Sequence, residues 1–128
     1  MILVDSCVYI QMLRADLDPA RELAGLAMED DLATCGVIRC EVLRGMRTPK
    51  ARKALATYLD CLIYIPTLNT VWERAEDILW NLDRTGYHIP LPDAVIASSA
   101  LQVGATVLTF DGHFQHVPKL LVRSEYDS

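Results

Sequence analysis

The chain has 128 residues, 52% of them hydrophobic and 23% charged, with a net charge of −5. That is enough apolar mass for one domain spanning residues 1–128, and it excludes a disordered chain. No apolar run approaches the roughly 20 residues that cross a bilayer, and Met1-Ile2-Leu3-Val4-Asp5 has neither a basic segment nor a signal-like stretch, so a cytoplasmic, non-membrane protein is expected.

Ile2-Leu3-Val4 reads as a short buried strand, after which Asp5-Ser6 caps a helix with apolar positions Val8, Tyr9, Met12 and Leu13. Pro19 opens a second helix to about Glu29, and Leu32-Ala33-Thr34-Cys35 is a second strand. A helix from about Val37 to Met46 ends at Thr48-Pro49. Ala51, Leu55, Tyr58 and Leu59 mark the next helix, and Leu62 to Ile65 a third strand closed by Pro66. Asn69 is placed to cap a strongly amphipathic helix carrying Val71, Trp72, Ala75, Ile78, Leu79 and Leu82, which Gly86 stops. Pro92-Asp93 opens a helix to about Val103 that is apolar nearly all round and should be central. Thr106 to Thr109 and Leu120 to Val122 complete the strands, and Glu125 to Ser128 should fray. Strands alternating with helices predict an α/β fold, a parallel sheet of four to five strands with helices on both faces.

Cys7, Cys35, Cys40 and Cys61 form no C-x-x-C pair, so zinc is not expected and all four read as small buried hydrophobes. His88, His113 and His116 lack metal-site spacing and partners and read as partly exposed polar residues. No serine–histidine pair or phosphate-binding glycine loop is apparent.

Four acids stand out by position. Asp5 follows the first strand, Asp111 follows the fourth, Asp93 opens the buried helix, and Glu41 borders the apolar face of its helix. In open α/β sheets, ligands bind beyond the carboxyl ends of the strands. Singly, each acid has an ordinary explanation as a cap, turn or surface residue. Gly45, one turn after Glu41, is costly in a helix and is read as leaving space above the carboxylate. Four converging carboxylates would repel one another unless a cation compensated them, and hard oxygen ligands suit Mg²⁺ or Mn²⁺. Such a site can activate water for attack on phosphorus.

The negative net charge looks wrong for a nucleic-acid enzyme, but taking the four acids out of −5 leaves −1. Six of the 12 basic residues lie between positions 39 and 53, with Glu41 the one acid there. Arg44, Arg47, Lys50 and Arg52 are candidates to meet a polyanion, against the plainer reading of a solvated helix face.

Ile2-Leu3-Val4-Asp5-Ser6, Cys40-Glu41-Val42-Leu43-Arg44-Gly45, Leu91-Pro92-Asp93-Ala94-Val95-Ile96-Ala97 and Leu108-Thr109-Phe110-Asp111-Gly112-His113-Phe114 resemble, in order, the four motifs of the PIN-domain family, and most closely the VapC toxins of toxin–antitoxin pairs. The resemblance covers nearly the whole chain. It implies a PIN-like three-layer fold and a Mg²⁺-dependent endoribonuclease, with Mn²⁺ as a substitute, silenced by a VapB-like antitoxin. By that resemblance Asp5, Glu41, Asp93 and Asp111 carry the metal, and Ser6 and Thr109 hold those carboxylates or their waters. Many members have another acid where this chain has His113, which leaves the number of metals open. The antitoxin is expected to insert an arginine among the acids, and the apolar helices suggest a homodimer through the Leu55-Tyr58-Leu59 or Trp72-Ile78-Leu79 face. The alternatives are a solitary PIN nuclease of RNA processing and a non-catalytic scaffold of the same fold. A phosphoacceptor receiver domain is disfavoured, because Ile65 is followed by Pro66-Thr67-Leu68 with no acid.

Overall fold

Three consecutive apolar residues leave no polar face, and Ile2–Val4 accordingly forms a strand, β1, buried on both sides. In the computed structural model, which describes residues 1–126, α1 (Ser6–Arg14), α2 (Pro19–Glu22) and α3 (Ala24–Glu29) lead to β2 (Leu32–Cys35). Then α4 (Gly36–Leu43) and α5 (Pro49–Asp60) lead to β3 (Ile63–Ile65), and α6 (Asn69–Arg84) and α7 (Leu91–Val103) to β4 (Thr106–Leu108). A 3-10 turn, Gly112–His116, precedes β5 (Leu121–Arg123). Of the segment expected to fray, Asp127 and Ser128 lie outside the described residues. No helix among those described is long and apolar enough to cross a membrane.

The five strands form one parallel sheet in the order β3-β2-β1-β4-β5. The chain runs outward from β1 through β2 to β3, then returns past β1 to β4. Right-handed crossovers put the helices of the outward run on one face and those of the return on the other. Within each run the helices pack together, α1 on α2 and α4, α4 on α5, and α6 on α7, and α4 also meets α7. The reversal makes the gap between the ends of β1 and β4 the switch point of the sheet, the place where open α/β sheets bind ligands. It also makes β3 an edge strand, not the middle strand that a receiver domain requires.

Helix α7 is central. Ala94 to Ala100 are buried without interruption, and the two serines among them find internal acceptors: Ser98 Oγ donates to Val71 O at 2.6 Å and Ser99 Oγ to Val95 O at 2.8 Å. Its C-terminus is closed by Gly104 at φ 68°, where Ala105 N bonds back to Ala100 O at 2.9 Å.

Several expectations shift. The helix predicted from Pro19 to Glu29 is two helices, because Leu23 leaves helical geometry (φ −95°, ψ 2°) while fully buried. The helix predicted to Met46 ends at Leu43, and Gly45 and Met46 close back onto Val42 O and Leu43 O in tighter three-residue turns. Gly45 therefore lies outside the helix, and a Cβ there would meet only Val42 O at 3.6 Å; it is not needed to make room for Glu41. Asn69 is the first residue of α6, not its cap: Leu68 holds that position and makes no side-chain cap bond. Of the cysteines only Cys35 is buried, Cys7 is half-buried, and Cys40 and Cys61 are exposed. Cys40 falls on the outer side of α4, whose inner side is Ile38 and Val42, and Cys61 sits past the end of α5. Leu55 and Leu59 belong to the core, which leaves Trp72, 44% exposed, as the more accessible of the two faces suggested for a dimer.

The cap of α7 gives a direct test. Nothing lies within 4 Å of a Cβ added at Gly104, so Gly104→Ala adds left-handed backbone strain without a clash. It should cost about 1–2 kcal/mol, measured as a lowered urea midpoint at constant slope. An unchanged midpoint would remove the cap from the account of α7.

Candidate active site at the sheet switch point

Asp5 directly follows β1 and caps α1. Its backbone N–H still bonds to Leu108 O of β4 at 2.9 Å, so the sheet itself fixes where the side chain begins. Asp5 is 3% exposed, and its donors come from its two following neighbours and from the far end of the chain. Oδ1 accepts from Ser6 N at 2.8 Å, and Oδ2 accepts from Thr109 Oγ1 at 2.8 Å and Cys7 Sγ at 3.1 Å. Burial pushes the Cys7 thiol up to about 11, which keeps its proton in place to donate.

The remaining acids join this carboxylate through hydroxyls and a ring. Ser6 Oγ donates to Glu41 Oε1 at 2.9 Å, bringing α4 to the start of α1. Thr109 Oγ1, while donating to Asp5, accepts from Asp111 N at 3.0 Å. Asp111 caps the 3-10 turn by accepting from His113 N at 2.9 Å. His113 Nδ1 then lies 2.8 Å from Asp93 Oδ2 and 3.1 Å from Asp111 Oδ1. Glu41, Ser6, Asp5, Thr109, Asp111, His113 and Asp93 thus form one unbroken hydrogen-bonded path, built from the ends of β1 and β4 and the starts of α1 and α7, with Glu41 from within α4.

Asp93 lies in the first turn of α7, where the helix dipole favours a negative group. Its pKa is nonetheless raised above the ordinary carboxylate value: burial is the main cause, and Asp5 and Asp111 add to it, while the His113 hydrogen bond works against it. His113 is raised as well, chiefly by its bond to Asp93. Among the ion pairs of the described residues, this ring is what pairs with Asp93 and Asp111. Ligating atoms of Asp93, Asp111 and His113 lie within 4.8 Å of one another, close enough to share one cation.

His113 is partly exposed, as expected, but it does not lack the partners of a metal site. His88 and His116 are exposed, but His113 stands between two of the four acids. The available signal was its position two residues after Asp111, in a turn that must fold back toward the carboxylate it follows.

The basic candidates lie elsewhere. Arg44, Arg47, Lys50 and Arg52 are all exposed, and no ion pair involves them among the described residues. Arg47 lines a groove of about 630 Å³ between α1 and the α4–α5 region, together with Ile10, Leu13, Arg14, Val42, Met46 and Glu41. The groove reaches the acidic path at Glu41; Arg44, Lys50 and Arg52 do not line it.

The chain is 34% identical over 112 residues to ribonuclease VapC21 of Mycobacterium tuberculosis, covering 85% of this chain and 77% of that one. Its fold matches a chain of the VapBC2 complex of Rickettsia felis, bound to a DNA fragment from their promoter, with a TM-score of 0.81 at 21% identity, covering 96% of this chain and 98% of that one. It also matches VapC20 of M. tuberculosis, a sarcin-ricin loop cleaving toxin, with a TM-score of 0.63 at 18% identity over 90% and 93% of the two chains. The sequence pattern of the PIN domain matches residues 2–120, and the chain belongs to the PIN-domain family.

Proposed function

We propose that this protein is a divalent-metal-dependent endoribonuclease and the toxin half of a VapBC-type toxin–antitoxin pair, acting in the cytoplasm. The observation that carries the reading is the hydrogen-bonded path that gathers Asp5, Glu41, Asp93 and Asp111 at the switch point of the sheet. The 34% identity to a ribonuclease supports the activity. A solitary RNA-processing nuclease would use the same site, whereas a non-catalytic scaffold would have no need of four acids held at this point.

The donor set fits a cation. Asp93 is half-buried, with its pKa raised by burial and by Asp5 and Asp111, and ligating atoms of Asp93, Asp111 and His113 already lie within reach of one ion. Asp5, Glu41, Asp93 and Asp111 would hold Mg²⁺, with Mn²⁺ as a substitute. When bound, such an ion lowers the pKa of water and stabilises charge on a phosphodiester under attack. The chain's own residues orient the site. Thr109 and Ser6 hold Asp5 and Glu41 in place, Cys7 keeps a thiol proton on Asp5, and the 3-10 turn aims Asp111 and His113 at Asp93. Arg44, Arg47, Lys50 and Arg52 would attract the RNA backbone.

The groove ending at Glu41 would take an apolar segment of the antitoxin, and the acids beyond it would take an arginine, whose planar fork matches carboxylates. A homodimer is part of the same proposal, with the exposed Trp72 face as its surface.

Cleavage of RNA should require Mg²⁺ or Mn²⁺ and stop with EDTA. Asp93→Asn should lower the rate by more than about 100-fold, and Thr109→Val by about 10- to 100-fold through loss of its hold on Asp5. Full activity in Asp93→Asn would sink the site assignment.

In EDTA, stability should depend on pH through two groups. For His113, with its folded pKa raised, the contribution is complete below the ordinary value of 6.5 and is lost as pH rises through the higher folded value. For Asp93, also raised, the cost of ionising in the fold is absent at low pH and complete once pH exceeds its folded pKa. Thermal melts should therefore fall from pH 6 to pH 8, and His113→Ala should flatten that fall. At pH 7, Asp93→Asn should melt no lower than wild type. A fall of the same size in His113→Ala would discard this balance of charge.

Light scattering should give a dimer for the protein alone. A co-purified antitoxin should lose inhibition when its tail arginines become alanine. Undiminished inhibition would reject the arginine mode and leave the nuclease reading standing.

A further inference from the structure

A carboxylate offers about four lone-pair positions, roughly two on each oxygen. On Asp5, Oδ2 accepts from Thr109 Oγ1 at 2.8 Å and from Cys7 Sγ at 3.1 Å, so both of its positions are taken. Oδ1 accepts from Ser6 N at 2.8 Å. The Ser6 hydroxyl lies 3.4 Å from this oxygen but 2.9 Å from Glu41 Oε1, and its one proton serves the nearer acceptor. The position that Asp5 leaves to a cation is therefore on Oδ1.

The thiol is fixed in this role from the strand beside it. Phe110 N–H donates to the sulfur at 3.5 Å, and Thr109 Oγ1 lies 3.4 Å from it. An N–H directed at the sulfur lone pair leaves the S–H to face the carboxylate. Cys7 belongs to the first turn of α1, whereas Thr109 and Phe110 directly follow β4. The pairing of β1 with β4 thus sets where the sulfur sits. Cys7 is also half-buried, unlike Cys35 in the core, so packing alone does not account for it.

We propose that Cys7 is a specificity-determining residue for the cation: with Thr109 it closes Oδ2, so that Asp5 binds a metal through one oxygen, which admits Mg²⁺ and Mn²⁺ and disfavours Ca²⁺. This rests on the reading of the acids as a metal site. Mg²⁺ is small, keeps several waters and needs few carboxylate oxygens. Ca²⁺ takes roughly six to eight oxygens and readily draws both oxygens of one carboxylate. With Oδ2 closed, Asp5 cannot chelate. A cation that needs the second oxygen must displace the thiol, which is the weaker of its two donors.

The test is calorimetric titration of the protein with Mn²⁺, Mg²⁺ and Ca²⁺ in the absence of RNA. Wild type should bind Mn²⁺ and Mg²⁺ more tightly than Ca²⁺. Cys7→Ala should narrow the preference for Mg²⁺ over Ca²⁺ by about 5- to 10-fold, the worth of one hydrogen bond. Cys7→Val removes the donor but fills the space, so it should do the same without a packing defect. Cys7→Ser keeps a donor and should retain the wild-type preference. A preference unchanged in both Cys7→Ala and Cys7→Val overturns the proposal. So does a preference that narrows as much in Cys7→Ser, or a wild type that binds Ca²⁺ as tightly as Mg²⁺. A wild type that binds none of the three cations overturns the metal site and this proposal with it. A protein that keeps the cation preference and cuts no RNA refutes the nuclease reading alone.

Discussion

A carboxylate buried at the end of the central strand obliges its surroundings to supply donors, because an unpaired buried charge would cost several kcal/mol. Asp5 is that group, 3% exposed, and it draws a backbone N–H, a hydroxyl and a thiol from three residues. Two of these come from the first turn of α1 and one from the end of β4. The pairing of β1 with β4, the start of α1 and the turn toward Asp111 are therefore tied to one side chain. Moving β4 by a residue would remove Thr109 from Asp5 and release Asp111 N from Thr109 as well.

The same concentration of negative charge explains the position of His113. Asp93 and Asp111 approach each other with no lysine or arginine between them among the described ion pairs, and an imidazole takes that role. Its presence makes the donor set mixed. Two carboxylates suit hard cations, while an imidazole nitrogen is equally at home with later transition metals. Where the PIN motif commonly carries another acid, this chain carries a group that can be a counterion in one state and a ligand in another.

Charge is distributed to match. The molecule as a whole is acidic, yet Arg44, Arg47, Lys50 and Arg52 are exposed, and Arg47 lines the groove that ends at Glu41. A polyanion would meet positive charge at the rim and acids within, and the acids can accept it only when a cation compensates them.

Local pattern carried much of this fold. The alternation of strand and helix, the buried all-apolar α7 and the placing of acids at strand ends and helix starts are set by residues within a few positions of one another, and periodicity reads them directly. Its errors are of the same local kind. The outer face of α4 carries Cys40, which residue type alone cannot distinguish from a core cysteine, and Leu23 breaks a helix to reach the core. The meeting of the acids is a different matter. Thr109 reaches Asp5 across 104 positions of sequence, and His113 reaches Asp93 across 20. The first depends on β1 lying beside β4 and the second on the turn after β4 folding back onto the start of α7, and neither leaves a trace in the periodicity of its elements. The sequence by itself determined which groups exist and on which kinds of element they sit. Only the tertiary structure decided that β4 lies beside β1, and hence that Asp5, Asp111, His113 and Asp93 share one site.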